Sequence, residues 1–122
     1  MQLKFDPQKP IFLGVAEWLE DAILSGVYSE EGQVPSTTEI SVNYNINPAT
    51  ALKGVNLLVD AGILYKRRGL GMFVATGARA KLLSRRQQQF FNGFVEPLVG
   101  EAKRLQISKP DLQTMIERGY DK

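Results

Sequence analysis

Residues 34–74 read VPSTTEISVNYNINPATALKGVNLLVDAGILYKRRGLGMFV, and this stretch decides the fold. Ser36 is followed three residues later by Glu39, which is the spacing of a capping box. In that arrangement the serine side chain accepts from the backbone N–H of the glutamate, and the glutamate reaches back to the N–H of the serine. A helix therefore begins here. We expect it to be short, because the segment 43–46 breaks the helical periodicity.

A second helix follows directly. Asn47 offers a side-chain acceptor at the cap position, and Pro48 suits the first helical position, where no backbone donor is needed. Gly62 is placed to end this helix in the left-handed conformation that glycine tolerates. Apolar residues between these signals recur at intervals of three and four positions and predict the buried face, namely Leu52, Val55, Leu58 and Val59.

Two short runs with the composition of strands come next. They occupy residues 63–68 and 72–74, and Gly69-Leu70-Gly71 between them predicts a hairpin turn. Two helices joined by a tight turn and followed by a basic hairpin form a winged helix-turn-helix, whose second helix is shaped to enter the major groove of DNA. The predicted fold is therefore mainly α (α+β), with a small β-hairpin wing.

The two motif helices carry too few apolar residues to form a core by themselves. A further amphipathic helix is predicted over residues 11–25, with Glu17, Glu20 and Asp21 on its outer side. Its apolar stripe consists of Ile11, Val15, Trp18, Leu19, Ala22 and Ile23. The register of Trp18 favours a core position over a ligand platform. The hairpin should complete the core with Ile63, Leu64 and Phe73, and a short strand is expected near Gln33-Val34.

Charge is distributed unevenly along the chain, although the net charge is only +2. Residues 1–60 carry three lysines against eight acids, a balance of −5, whereas residues 61–95 carry seven cations and no acid, a balance of +7. The basic block begins at the predicted wing and indicates a surface that faces a polyanion. A solvated basic face without a partner is the alternative.

The chain contains no cysteine and no histidine, so it lacks disulfides, thiolate metal sites and the commonest general base. We expect no cofactor, no metal and no enzymatic activity, since the acids are spaced for solvation and not as an acid and base pair. Nothing at the N-terminus resembles a signal peptide, and no run approaches the roughly 20 apolar residues of a membrane span. A cytoplasmic protein without a membrane partner is expected.

The small residues at 75–78 are the expected junction between two domains, a DNA-binding domain over 1–77 and a helical extension over 78–122. Apolar residues at helical spacing predict one long helix bent near Pro97, or two helices split at that point. Ser108 then caps a final helix. The winged domain is thus followed by a C-terminal two-helix extension.

The extension carries more apolar surface than it can bury alone, and contiguous exposed apolar patches mark association surfaces. Homodimerisation through the C-terminal helices is the economical solution. The residues predicted to form the dimer are Leu83, Phe90, Phe91, Phe94, Val95 and Leu98. The alternative is an extension that folds back onto its own winged domain.

Residues 10–77 resemble the GntR family of transcription regulators. The resemblance rests on Pro35-Ser36 with Glu39-Ile40, on Asn47-Pro48-Ala49-Thr50, on LVDAGIL at 58–64 and on RRGLGMFV at 67–74. The tail, with EAKRL at 101–105, is similar to that of the YtrA-type subfamily. The resemblance implies a dimeric, usually repressing, cytoplasmic bacterial regulator. We expect such a dimer to bind a palindromic operator on double-stranded DNA.

The two motif helices supply the first predicted DNA contacts. Ser36 and Thr38 lie at the start of the first helix, where exposed N–H groups favour a phosphate. The first two turns of the second helix are the part that reads base edges, and they contain Asn47, Ala49, Thr50 and Lys53. Capping by Asn47 competes with base contact, and Thr50 suits a phosphate as well as a base.

The wing supplies the remaining predicted contacts. Lys66 and Arg68 share one face if both lie in a strand. Gly69 and Gly71 allow a tight turn that either enters the minor groove or simply closes the hairpin. Thr38 stands where the family usually has an arginine that reaches DNA, and the second motif helix has no arginine. We therefore expect the wing to provide more of the affinity.

Two questions stay open at the level of sequence. A protein-interaction or architectural module, in which the basic stretch is incidental, is the strongest alternative function. The sequence names no small-molecule effector; if one binds, we expect it in the cleft between the winged domain and the aromatic tail.

Overall fold

The computed structural model describes residues 7–122, which form two compact units divided after Ser84. The first unit is the predicted winged helix-turn-helix, mainly helical with one antiparallel hairpin. Its elements are α1 Ile11–Leu24, α2 Thr37–Tyr44, α3 Pro48–Asp60, β1 Leu64–Arg67, β2 Gly71–Val74 and the beginning of α4 Ala78–Phe90.

Local capping sets the ends of the motif helices as predicted. The Ser36 hydroxyl accepts a hydrogen bond of 3.0 Å from the N–H of Glu39, whose carboxylate accepts one of 3.1 Å from the N–H of Ser36. The Asn47 side chain accepts from the N–H of Ala49 at 2.8 Å. Gly62 follows α3 with a φ of 75°, the left-handed conformation expected of a helix-ending glycine.

The hairpin is extended on one side by the segment that precedes α2. β1 and β2 pair antiparallel, with Tyr65 opposite Phe73. The N–H of Val34 donates to the carbonyl of Met72 at 3.0 Å, and Gln33 forms a bridge with Phe73. The segment near Gln33-Val34 thus pairs with the hairpin as predicted, but through an isolated bridge and not as a regular strand.

The core of the first unit lies between α1, α3, the hairpin and the start of α4. Gly54 lets α1 and α3 approach closely, because a Cβ at this position would lie 2.6 Å from the carbonyl oxygen of Phe12. Trp18 is 8% exposed and packs edge-on against Tyr44, with 5.3 Å between ring centroids, so its predicted core position is confirmed. The largest fully buried side chains are Leu19, Ile23, Ile40, Ile63, Leu64, Leu82, Val15, Val55 and Val74.

Two of the predicted helix faces were partly wrong. Leu52 is 47% exposed, because the buried face of α3 is formed by Ala51, Gly54, Val55 and Leu58. Ile11 is 49% exposed at the first turn of α1. Glu20 is only 8% exposed, since α1 is buried over a wide arc that includes Ala16 one turn earlier.

The hairpin also differs from prediction in one respect. Phe73 is only half-buried, because it shares the outer face of the hairpin with Tyr65 while Leu64 and Val74 face the core.

Ala78 and Leu82, in the first two turns of α4, are buried in the core of the first unit. The unit therefore extends seven residues beyond the junction predicted after residue 77.

The second unit, residues 85–122, consists of helices, with a short loop at residues 105–108 before the last one. It comprises the rest of α4, a π-helical turn Phe91–Val95, α5 Glu96–Arg104 and α6 Lys109–Tyr120, and Ser108 caps α6 as predicted. The backbone keeps helical dihedral angles at Phe90 and Glu96, so one helical path passes Pro97. Proline lacks an N–H and clashes with the carbonyl four residues earlier, and the wider π turn directly before it accommodates both effects.

Candidate nucleic-acid interface

At the start of α2, Ser36 and Glu39 are paired with each other. Both the hydroxyl oxygen and the backbone N–H of Ser36 are engaged with Glu39. The hydroxyl proton of Ser36 is the group that can still donate to a phosphate. Thr38 is exposed in the first turn, close in sequence to the Glu39 carboxylate. The negative charge of Glu39 reduces the attraction of this helix end for a phosphate.

The outward side of α3 forms a shallow depression of about 390 Å³. It brings together two of the predicted contact residues, Ala49 and Lys53. The other two predicted groove-facing residues, Asn47 and Thr50, do not line it. Thr50 is half-buried, and Asn47 is exposed with its side chain engaged as the N-cap. The remaining lining residues of the depression are Leu52, Asn56, Leu57 and Asp60.

Leu52 and Asn56 also lie on the outward side of α3, and the sequence pattern did not predict either of them there. The apolar spacing of three and four residues predicts Leu52 on the buried face, together with Val55, Leu58 and Val59, but the structure exposes it. The signal that could have found it is the pair Ala51 and Gly54, whose small size three residues apart permits a close helix contact. That contact fixes the rotation of α3 and turns Leu52 and Asn56 outward.

Lys53 does not extend freely from α3. Its Nζ lies 4.0 Å from the centroid of the Phe12 ring in α1, which is a cation–π contact. The lysine is the only cationic residue of α3. The positive charge on this helix is therefore held toward its α1 side.

The wing presents its cations in different ways. Lys66, Arg67 and Arg68 are all exposed. Arg67 stacks on the outer face, with its Cζ 5.0 Å from the centroid of Phe73. β1 ends at Arg67, so Arg68 belongs to the turn, and the strand alternation that would place it beside Lys66 does not extend to it.

The tip of the wing is a tight turn that Gln33 holds from outside. Gly69 and Gly71 have φ angles of 77° and 119°, which lie in the region that favours glycine. The Gln33 side-chain amide donates to the carbonyl of Leu70 at 2.7 Å, and a Cβ on Gly71 would lie 2.7 Å from that same amide nitrogen. The glycine thus allows the glutamine to reach the turn.

Two acids brace the base of the wing. The Glu31 carboxylate accepts hydrogen bonds from the hydroxyl groups of Thr76, at 2.6 Å, and Tyr65. These bonds lower the pKa of Glu31, and the bond to Glu31 raises the pKa of Tyr65. Glu30 accepts from the N–H of Gly77 at 2.8 Å, next to the start of α4. The loop after α1 is therefore hydrogen-bonded to β1 and to the segment that follows β2.

Within residues 7–122 no group of three or more acidic side chains is arranged to hold a metal ion. No helix in the same range is long and apolar enough to span a bilayer.

No protein-family model matches the chain. The HTH-type transcriptional regulator YhcF of Bacillus subtilis is 24% identical over 112 residues, which cover 92% of this chain and 91% of YhcF. The chain also matches longer curated regulators, some of them named as repressors, over about half its own length and about a quarter of theirs.

Solved structures extend the likeness to three dimensions. A putative GntR-family transcriptional regulator from Bacteroides thetaiotaomicron superposes with a TM-score of 0.76 and 32% identity, over 91% of this chain and 96% of that one. The DNA-binding domain of AraR, solved in complex with operator ORX1, superposes with a TM-score of 0.56 and 25% identity, over 62% of this chain and 96% of that one. With its capped α2–α3 pair and basic hairpin, the chain belongs to the GntR family of DNA-binding transcriptional regulators.

Proposed function

We propose that this protein is a sequence-specific repressor of the YtrA type, which binds a palindromic operator as a homodimer in the bacterial cytoplasm. The observation that carries the proposal is the combination, in one compact unit, of an outward-facing α3 and a cationic wing. A winged helix-turn-helix places its second helix in the major groove, and exposed cations beside it neutralise phosphates. Several relatives are named as repressors, which supports repression over activation.

The proposed contacts divide into positioning and base-reading groups. Ser36, Thr38, Lys66 and Arg68 would bind phosphates. Ala49 and Lys53 would face the major groove, with Asn47 and Thr50 at its margin. Gly69 and Gly71 would let the wing turn approach the minor groove closely.

The homodimer is proposed from the apolar surface of the second unit. Phe90 and Phe94 stack with 5.4 Å between ring centroids and are 55% and 68% exposed, and Phe91 beside them is 56% exposed. In the same unit Leu98 is also more than one-third exposed and Val95 is half-buried; Leu83, the remaining predicted dimer residue, is 40% exposed and lies at the end of the first unit. Burying such a patch against a second copy removes it from water, and a two-fold axis would present two winged units to two half-sites.

A protein-interaction module is the second candidate. The observation that favours it is the composition of the α3 depression, in which Leu52 and Leu57 are 47% and 38% exposed and the only cation is drawn toward Phe12. Apolar helix faces of this kind also dock on other proteins.

Selection of duplexes from a random library, with the mass of the protein measured at the same concentration, tests the proposal. An enriched inverted repeat bound by a dimer supports a sequence-specific repressor, with half-site centres about 34 Å apart or a multiple of it. A folded dimer that enriches no sequence at low salt would favour the protein-interaction module. Lys53→Ala should weaken binding to the selected site.

A further inference from the structure

The α3 depression carries one cation and one anion, Lys53 and Asp60, and its other lining residues are uncharged. Leu52, Lys53 and Asn56 line it, with Ala49 about one turn toward the N-terminus. These positions lie opposite the buried residues of α3, and the spacing of three, four and seven residues from Ala49 puts them on one helix face. A duplex that receives α3 in its major groove would contact this face, because the opposite side of the helix is buried in the core.

The groups needed to recognise guanine are scarce on this face. Guanine presents O6 and N7 acceptors in the major groove, and arginine or lysine is their usual partner. α3 contains no arginine, and the ammonium group of Lys53 is drawn toward the Phe12 ring at 4.0 Å. Its charge is therefore held toward α1.

The remaining groups match an A·T pair. The side-chain amide of asparagine can donate to N7 and accept from N6 of adenine, and apolar side chains contact the C5 methyl group of thymine. Asn56 is exposed and Leu52 is 47% exposed, so both are accessible to base edges. Ala49 and Asn56 are separated by about 10 Å along the helix axis, which is close to three base-pair steps of about 3.4 Å.

We propose that the middle of α3 reads A·T pairs in each operator half-site, with Asn56 on an adenine and Leu52 on a thymine methyl group. Ala49 adds a smaller apolar contact at the neighbouring pair. The inference rests on the proposed function, since it assigns base specificity to the same DNA-binding face. It assigns base-reading roles to two residues that are not in the predicted set of Asn47, Ala49, Thr50 and Lys53, and the sequence pattern predicts one of them, Leu52, in the core.

Base analogues in the selected duplex test each contact separately. Deoxyuridine in place of thymidine removes only the C5 methyl group, and 7-deazaadenine replaces the N7 acceptor by C–H. Each analogue is placed at one position of the half-site. We expect deoxyuridine to weaken wild-type binding about fourfold and 7-deazaadenine to weaken it about fivefold or more.

Variants then connect each base to a side chain. Leu52→Ala should bind the unmodified selected duplex more weakly than wild type does, and deoxyuridine should no longer reduce its affinity. For Asn56→Ala, 7-deazaadenine should no longer reduce the affinity. Val27→Ala serves as a matched control, because Val27 is an apolar side chain, 58% exposed, outside α3. It should keep both sensitivities. Thermal melts confirm that the variants are folded.

Two failures can be distinguished. Enrichment of an operator whose α3-facing pairs are G·C, or equal analogue effects in wild type and both variants, would overturn the A·T assignment and leave the repressor proposal intact. A folded dimer that enriches no sequence would overturn both.

Discussion

The side-chain amide of Gln33 donates a 2.7 Å hydrogen bond to the main-chain carbonyl of Leu70, 37 residues later in the chain. Through this bond the segment before α2 holds the tip of the wing. Gln33 also bridges to Phe73 through the backbone, so its side chain starts from a fixed point. The orientation of the wing turn is thus set partly by a residue outside the hairpin.

Replacing Gln33 by alanine should loosen the wing turn without unfolding the protein. Losing one exposed hydrogen bond of about 1 kcal/mol predicts a fall in DNA affinity of roughly two- to tenfold, on specific and random duplexes alike. Binding titrations on both duplexes measure it. Gln88→Ala, at an exposed position of α4, is the control. Unchanged affinity in Gln33→Ala would show that the wing turn needs no such support.

Neutralising Lys66 and Arg68 together should weaken binding to all duplexes. Each phosphate contact contributes about 0.9 to the slope of log affinity against log salt, so we expect the slope to fall by about 2. A salt titration on operator and random duplex measures this slope. The control variant replaces Lys109 and Lys122, which removes the same charge from the second unit. A loss confined to sequence preference would contradict a phosphate role for the two wing cations.

Replacing Gly54 by alanine should destabilise the first unit. The added Cβ would lie 2.6 Å from the Phe12 carbonyl oxygen and 2.8 Å from the Val15 Cβ, so α1 and α3 must separate. Overpacking of this kind costs about 1–3 kcal/mol. Thermal or urea unfolding measures the loss.

Gly100→Ala in α5 is the matched control, because a Cβ there meets nothing within 4 Å. Alanine should stabilise that helix by up to about 1 kcal/mol. If Gly54→Ala were as stable as wild type, the close approach of α1 and α3 would have to be relieved by a small helix shift.

The parts of this fold that the sequence predicted are those set by local chemistry. Ser36 with Glu39, Asn47 with Pro48, and Gly62 each act within one helical turn, so their spacing is sufficient to place the helix ends. The wing followed from two glycines between strand-like runs. These signals do not depend on residues that are distant in the sequence.

The positions that were missed depend on partners distant in sequence. The exposure of Leu52 follows from the contact of Gly54 with α1, and the outer position of Phe73 follows from which hairpin face meets the core. The bracing of the wing by Gln33 and Glu31 joins residues more than 30 positions apart. Apolar periodicity gives the existence of a buried face but fixes its rotation only to within about one residue, or 100° on a helix.

Stability should depend on pH through Glu31. Hydrogen bonds from Thr76 and Tyr65 hold its pKa below the usual value. A carboxylate with a lowered folded-state pKa stabilises the fold above its unfolded pKa of about 4.3, and this contribution disappears as the pH falls through the folded value. The thermal midpoint of Glu31→Gln should therefore lie below that of wild type at pH 7 and approach it at about pH 3.

Glu117→Gln in α6 controls for a general effect of removing one negative charge. Melting curves at several pH values between 7 and 3 compare the three proteins. A gap between wild type and Glu31→Gln that stays constant over this range would exclude the carboxylate hydrogen bonds as its cause.

Placing a charge in the aromatic cluster should separate the proposed dimer. Phe94 is 68% exposed and stacks on Phe90, so Phe94→Arg keeps its own unit folded while burying a guanidinium if two copies associate. Desolvating an unpaired charge costs several kcal/mol, enough to shift the dissociation constant by more than about 100-fold. Tyr120→Arg is the matched control, since Tyr120 is an 87% exposed aromatic residue at the end of α6. We expect the mass in solution to halve for Phe94→Arg alone, and binding to the full palindrome to fall toward that of a single half-site. A Phe94→Arg protein that keeps the dimer mass would place the interface elsewhere on the second unit.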